Sequence, residues 1–181
     1  MDAAWAFTVA ALLWVYLGIQ KGQVTQDGLT GLNNRRRLDQ YMWELDERNG
    51  ERETCCYLLM DVNKFKKVND TYGHVTGDEV LRLVAEQLKR TFGNMQAFLA
   101  RYGGDEFVVI VKGKTQDEMD VIIHQTQENV NAIAWGADPP WQLSISIGCA
   151  MRGEQGKQKS HELLALADER MYRQKKGIQD R

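Results

Sequence analysis

The chain has 181 residues, 43% of them hydrophobic and 27% charged, enough for one domain with a substantial core plus a short appendage. A formal net charge of −2 gives no basic excess and argues against a nucleic-acid partner. The three cysteines, Cys55, Cys56 and Cys149, lie in apolar runs with no zinc-type spacing, and read as buried reduced thiols rather than disulfides or metal ligands.

In chain order, residues 3–19 are apolar apart from Thr8 and include Trp5, Trp14 and Tyr16. The only early charge is Asp2, so the basic region of a signal peptide is missing. A membrane span needs about 20 residues, with a range of about 17–25, and this segment is just long enough. Lys21 and Arg35-Arg36-Arg37 follow it, which would place the rest of the chain in the cytoplasm. The alternative is an apolar helix that pairs with a second chain. Residues 1–23 are therefore set apart from a globular part over 24–181.

The spacing of Leu38, Tyr41, Met42 and Leu45 predicts a helix over 34–48, with Gly50 as its stop. The run 54–60 reads as a buried strand ending at Asp61. Thr76-Gly77-Asp78-Glu79 has capping-box spacing and would open a helix through Val80, Leu81, Val84 and Leu88. Strands over 98–102 and 107–111 are joined by Gly103-Gly104-Asp105-Glu106, a tight hairpin with glycines where positive φ is needed. A second capping box, Thr115 to Glu118, starts a helix carrying Met119, Ile122, Thr126, Val130 and Ile133 on one face. Trp141, Leu143, Ile145, Ile147 and Cys149 alternate with polar residues, as in a strand with one buried face. The last helix is expected over 160–176, stopped by Gly177. Helices alternating with strands around one hairpin predict an α+β sandwich: a mixed central sheet flanked by helices.

Asp61 at a strand end and Asp105 and Glu106 in a turn would meet if their strands are neighbours. Hard Mg²⁺ prefers such oxygens and keeps phosphate ligands as well. An isolated acid after a strand is more often a solvated cap. The segment after Asp61 weakens that reading, because Phe65, Lys66, Asn69, Gly73, Gly77 and Asp78 supply cations, an amide and flexible backbone for a nucleotide.

Three motifs together resemble those of the GGDEF diguanylate cyclases. The stretch from Asp27 to Arg36, DGLTGLNNRR, resembles the family's opening motif. DVNKFKKVNDTYGHVTGDEVL, starting at Asp61, resembles its metal and guanine segment, and RYGGDEF, starting at Arg101, contains its signature. Residues 144–150 and 163–175 resemble its last strand and last helix. The resemblance implies a sheet like the palm of adenylyl cyclases and polymerases, and condensation of two GTP into cyclic di-GMP and two pyrophosphates. It implies two Mg²⁺ ions per site, with Mn²⁺ as a substitute. Asp61, Asp105, Glu106 and the Val62 carbonyl would be metal ligands, with Glu106 also a candidate base for the 3′-hydroxyl. Asn69 and Asp78 would read the guanine edge, Lys66 and Lys175 would hold the triphosphate, and the Phe65 amide would touch it. Gly103 and Gly104 would let the backbone lie close to the nucleotide. One GTP per domain and a two-fold symmetric product require a homodimer. With the apolar segment, this implies a catalytic domain held at the inner membrane of a bacterium. The competing reading is a non-catalytic GGDEF module that binds GTP and regulates.

Two departures and one absence stand out. Asn63 replaces a frequent second aspartate, and Lys176-Gly177-Ile178-Gln179 replaces the glycine and basic residue usual after Lys175. Asn94-Met95-Gln96-Ala97 stands where many members carry Arg-x-x-Asp, so high-affinity product inhibition is expected to be lacking.

Overall fold

The computed structural model describes residues 7, 9–14, 25–48, 54–134, 142–152 and 158–179, the last two by backbone only. Its central strand, β1 (Cys55–Val62), reads CCYLLMDV and is buried along its whole length. This is why it shows no polar alternation. β2 (Ala97–Gly103), β3 (Glu106–Lys112) and β4 (Ile145–Arg152) complete a four-stranded sheet in the order β2-β3-β1-β4.

Every strand pairing in this sheet is antiparallel, a correction to the expected mixed sheet. The parallel strands are not neighbours, because each helical crossover skips one position in the sheet. Among the described residues, the parallel contact that remains is a single bridge, Asn33 to Ala100, at the outer edge of β2.

Side-chain alternation on β1 divides the core into two layers. Cys56, Leu58, Met60 and Val62 face α2 (Phe65–Tyr72), α3 (His74–Phe92) and α4 (Gln116–Asn131). Cys55, Tyr57 and Leu59 face α1 (Arg35–Glu47) and α5 (Ser160–Gln179). Each fully buried Leu, Val or Phe in these layers contributes about 1.5–3 kcal/mol of transfer free energy.

Helix α1 forms as expected: the Asn34 side chain accepts from the Arg37 N–H, and Leu38, Met42 and Leu45 are buried. Thr115 and Glu118 form a reciprocal capping box at the start of α4. The other box does not form. Gly73, at φ +84, separates α2 from α3, and α3 has already begun at His74. The Thr76 hydroxyl instead donates to the Tyr72 carbonyl one turn back. Helix α2 occupies what reads as a polar loop: it is eight residues long, and its apolar face is limited to the buried Val68 and the half-buried Phe65 and Tyr72, set among polar residues.

β4 begins at Ile145, later than the alternation implied, and Trp141 lies outside the described residues. Most of β4 is buried on both faces, Ser146 included. α5 continues through Gly177 to Gln179 rather than stopping there. Gly148 explains how closely α5 sits on β4: a Cβ there would lie 1.9 Å from the Ala167 carbonyl oxygen. The 3–19 segment falls mostly outside the described residues, although 9–14 are helical. Among the described residues, no helix is long and apolar enough to cross a membrane.

Candidate active site

The β1–β3 register places Asp61 directly opposite Glu106, and the Val62 N–H donates to the Asp105 carbonyl at 3.2 Å. Asp61 is thus brought to the adjacent acids Asp105 and Glu106 at one end of the sheet. Asp61 is 6% exposed, buried within the strand rather than emerging at the sheet edge. Its carboxylate accepts from the Lys175 ammonium at 2.6 Å, so α5 supplies the compensating charge.

Burial is the main influence raising the Asp105 carboxyl above its ordinary range, followed by the charge of Asp61. Glu106 is raised by burial first, then by Asp61, Asp105 and Asp168. These carboxylates repel one another, and a cation among them would relieve that repulsion. Among the described residues, no three acid, histidine or cysteine side chains converge as a ready-made coordination shell. The donor set still fits Mg²⁺, which is held by one or two carboxylates and keeps water and phosphate for the rest.

The hairpin beside these acids is clamped from outside. The Arg101 Nε and Nη2 donate to the Gly104 carbonyl at 2.9 and 2.7 Å. Its Nη1 donates to both Asp27 oxygens at 3.2 and 3.3 Å. Asp27 also accepts from the Thr30 N–H and hydroxyl. Although burial acts to raise the Asp27 carboxyl, these donors hold it below its ordinary range. Gly104 has φ +49, while Gly103 does not need positive φ. A Cβ on either glycine would meet nothing within 4 Å, so both leave the surface open above the turn.

The guanine candidates form a second group, in the angle between α2 and α3. Asn69 and Phe65 are half-buried, and Asp78 and Lys66 are exposed. Gly77 lets the Asn69 amide lie against α3: a Cβ would sit 1.9 Å from the Asn69 Oδ1 and displace that side chain. Asn63 does not belong to either group. Its amide donates to the Ser144 hydroxyl at 3.0 Å and accepts from Ser146 at 2.7 Å, tying the end of β1 to β4. Lys176 lies over the Tyr172 ring at 4.8 Å.

Residues 24–181 match the family model described as "Diguanylate cyclase, GGDEF domain". The chain belongs to the GGDEF family. It is 33% identical over 160 residues to the "Probable diguanylate cyclase DgcC" of Escherichia coli K12, covering 87% of this chain and 42% of that protein. It is 38% identical over 156 residues to the "Probable diguanylate cyclase DgcI" of the same strain, covering 83% and 31%. The chain thus spans less than half the length of either relative. The GGDEF domain of DgcB from Caulobacter crescentus, solved in complex with c-di-GMP, is similar at a TM-score of 0.78 and 30% identity, covering 86% of this chain and 92% of that one. The coiled coil and GGDEF domain of the same protein give 0.79 and 27%, covering 97% and 94%.

Two features of this GGDEF site are missing from the sequence reading. Asp27 and Arg101 each open one of the family-like motifs, but nothing local shows that residues 74 positions apart pair as a clamp. Asp168, which raises Glu106, is an acid between the buried Ala167 and Met171 of α5.

Proposed function

We propose that this GGDEF domain is an active diguanylate cyclase, condensing two GTP into cyclic di-GMP across a homodimer. The observation that carries the reading is the acidic end of the sheet, where Asp61, Asp105 and Glu106 meet Lys175 beside an open glycine turn.

Asp61, Asp105 and the Val62 carbonyl would hold Mg²⁺, or Mn²⁺ in its place, with Glu106 completing the set. When bound, the metal supplies Lewis-acid stabilisation of the α-phosphate and of the leaving pyrophosphate. The residues themselves do the rest. Glu106 has a raised carboxyl and would accept the proton of the 3′-hydroxyl at a carboxylate oxygen. Lys175, which pairs with Asp61, would hold the triphosphate, joined by Lys66 and the Phe65 N–H. The Asn69 amide and Asp78 carboxylate would recognise the guanine edge by complementary donors and acceptors. Gly103 and Gly104 leave room for the nucleotide to approach the backbone.

For the apolar segment we propose chain pairing over membrane insertion. Within it, Phe7, Leu12 and Trp14 are 79%, 66% and 81% exposed on a helical stretch, a surface that calls for cover. The similarity to the DgcB coiled coil and GGDEF domain extends over 97% of this chain, against 86% for the GGDEF domain alone. Asn94 to Ala97 offers neither a guanidinium nor an acid, so product would bind weakly there. Incubation with GTP and Mg²⁺, followed by chromatography of the nucleotides, tests the activity. Cyclic di-GMP and pyrophosphate are expected; GTP bound but unchanged would establish the regulatory alternative.

A further inference from the structure

Cys56 and Cys149 sit on neighbouring strands, away from the acidic end. Cys149 is opposite Leu58, which makes Cys56 its diagonal neighbour on the same face of the sheet. Their Sγ atoms are 3.0 Å apart with no disulfide between them. Cys55 belongs to the other layer, packed with Tyr57 and Leu59.

The two sulfurs are unequal. Cys56 is 0% exposed, whereas Cys149 is half-buried. Donation from the Cys56 S–H is the main influence holding the Cys149 thiol below its ordinary range. Burial and Asp120 on α4 oppose it; Arg170 and Gln116, the first residue of α4, support it. The Arg170 guanidinium also donates to the Cys149 carbonyl at 2.5 Å. The same contact, together with burial, pushes the Cys56 thiol far up. A partly accessible, thiolate-prone sulfur beside a protonated partner is the arrangement of peroxide-reactive cysteines.

We propose that Cys149 and Cys56 form a peroxide-sensitive pair that closes to a disulfide linking β4 to β1. The Cys149 thiolate attacks one oxygen of hydrogen peroxide, the O–O bond breaks, and hydroxide leaves to become water on taking up a proton. The oxidised sulfur is now a sulfenic acid. The Cys56 sulfur attacks it, the S–S bond forms, and the hydroxyl departs with the Cys56 proton as a second water. Two thiols and one hydrogen peroxide thus give one disulfide and two waters. The sulfurs need to close by about 1 Å to reach a bond length of about 2.05 Å. Neither sulfur belongs to the nucleotide site, so the chemistry is independent of the proposed cyclase activity.

The test uses the full reduced chain and hydrogen peroxide, at a dose that oxidises half of an unstructured cysteine peptide run in parallel. The protein is then denatured, alkylated and analysed by mass. The expected product is two hydrogens lighter, takes one alkyl group in place of three, and yields a peptide linked through Cys56 and Cys149. Cys56→Ser should halt at a dimedone-reactive sulfenic acid on Cys149, and Cys149→Ser should leave Cys56 reduced. Full alkylation of the treated wild type, linkage through Cys55, or linkage between two chains would overturn the proposal. The wild-type result decides even if a variant fails to fold.

Discussion

At the Cys55 end of β1 the strong charges are matched, whereas at the Asp61 end three carboxylates gather beside one lysine. Cys55 is paired with Arg152 of β4, whose guanidinium donates to the Asp46 carboxylate at 2.6 Å, to the Ser160 hydroxyl at 3.0 Å and to the Tyr57 hydroxyl at 3.2 Å. Asp46 also accepts from the Ser160 N–H, so it caps α5 where the helix dipole favours an anion. Burial there pushes the Tyr57 hydroxyl up to about 12, keeping it a neutral hydrogen-bonding group. Six residues along β1, Asp61 lies between Glu106 and Ser146, and the carboxyls of Asp105 and Glu106 are pushed up by burial first and then by its charge. One end uses charge to join helices to the sheet. The other holds carboxylates at a cost in stability, an arrangement common at functional sites and the one the proposed metal and nucleotide site calls for.

The largest effect should come from the structural end. Asp46→Ala leaves the Arg152 charge buried without its carboxylate, and breaking such a pair costs about 3–5 kcal/mol. Urea unfolding should show that loss, while the folded fraction keeps its specific activity. If activity per folded molecule collapses as well, the two ends are not separable. Asp105→Asn should do the reverse, keeping the fold and lowering cyclic di-GMP synthesis by about 10²–10³-fold. Near-normal turnover would remove Asp105 from the machinery.

How far these roles can be read from sequence follows the same division. Asp61, Asp105 and Glu106 sit in motifs a few residues long, and their strands have strong apolar patterns, so this site can be read directly. The Asp46–Arg152–Ser160 network joins residues up to 114 positions apart without any local pattern. α2 is hidden because its apolar face, Phe65, Val68 and Tyr72, spans only eight residues and is interrupted by polar ones. The Thr76 box is misleading because Gly73 starts the helix earlier. The sheet is antiparallel because of where the crossovers land, which periodicity within a segment cannot encode.

A smaller effect tests the second half of the site. Asn69→Ala or Asp78→Ala should weaken GTP binding by about 1–3 kcal/mol, the cost of leaving a polar edge unpaired. ATP binding should change less. Equal losses for both nucleotides would place the base elsewhere.

The smallest effect is a gain. Because the Glu106 carboxyl is raised in the folded chain, ionising it favours the unfolded state. That penalty is absent below the unfolded value of about 4.3 and complete once pH has risen through the folded value. Glu106→Gln should therefore melt higher than wild type at neutral pH, with the difference closing as the solution is acidified. A variant that melts lower at neutral pH would mean Glu106 stabilises the fold.

The contrast between the two ends is tested most directly by melting the wild type and Asp61→Asn with GTP and Mg²⁺ together, and without them. Ligand that binds only the folded state raises the melting temperature by mass action. The wild type should gain stability when both are added and little with either alone, and Asp61→Asn should gain almost nothing while melting normally without ligand. An equal gain in Asp61→Asn would contradict the assignment of this end of β1 as the place where metal and nucleotide are held.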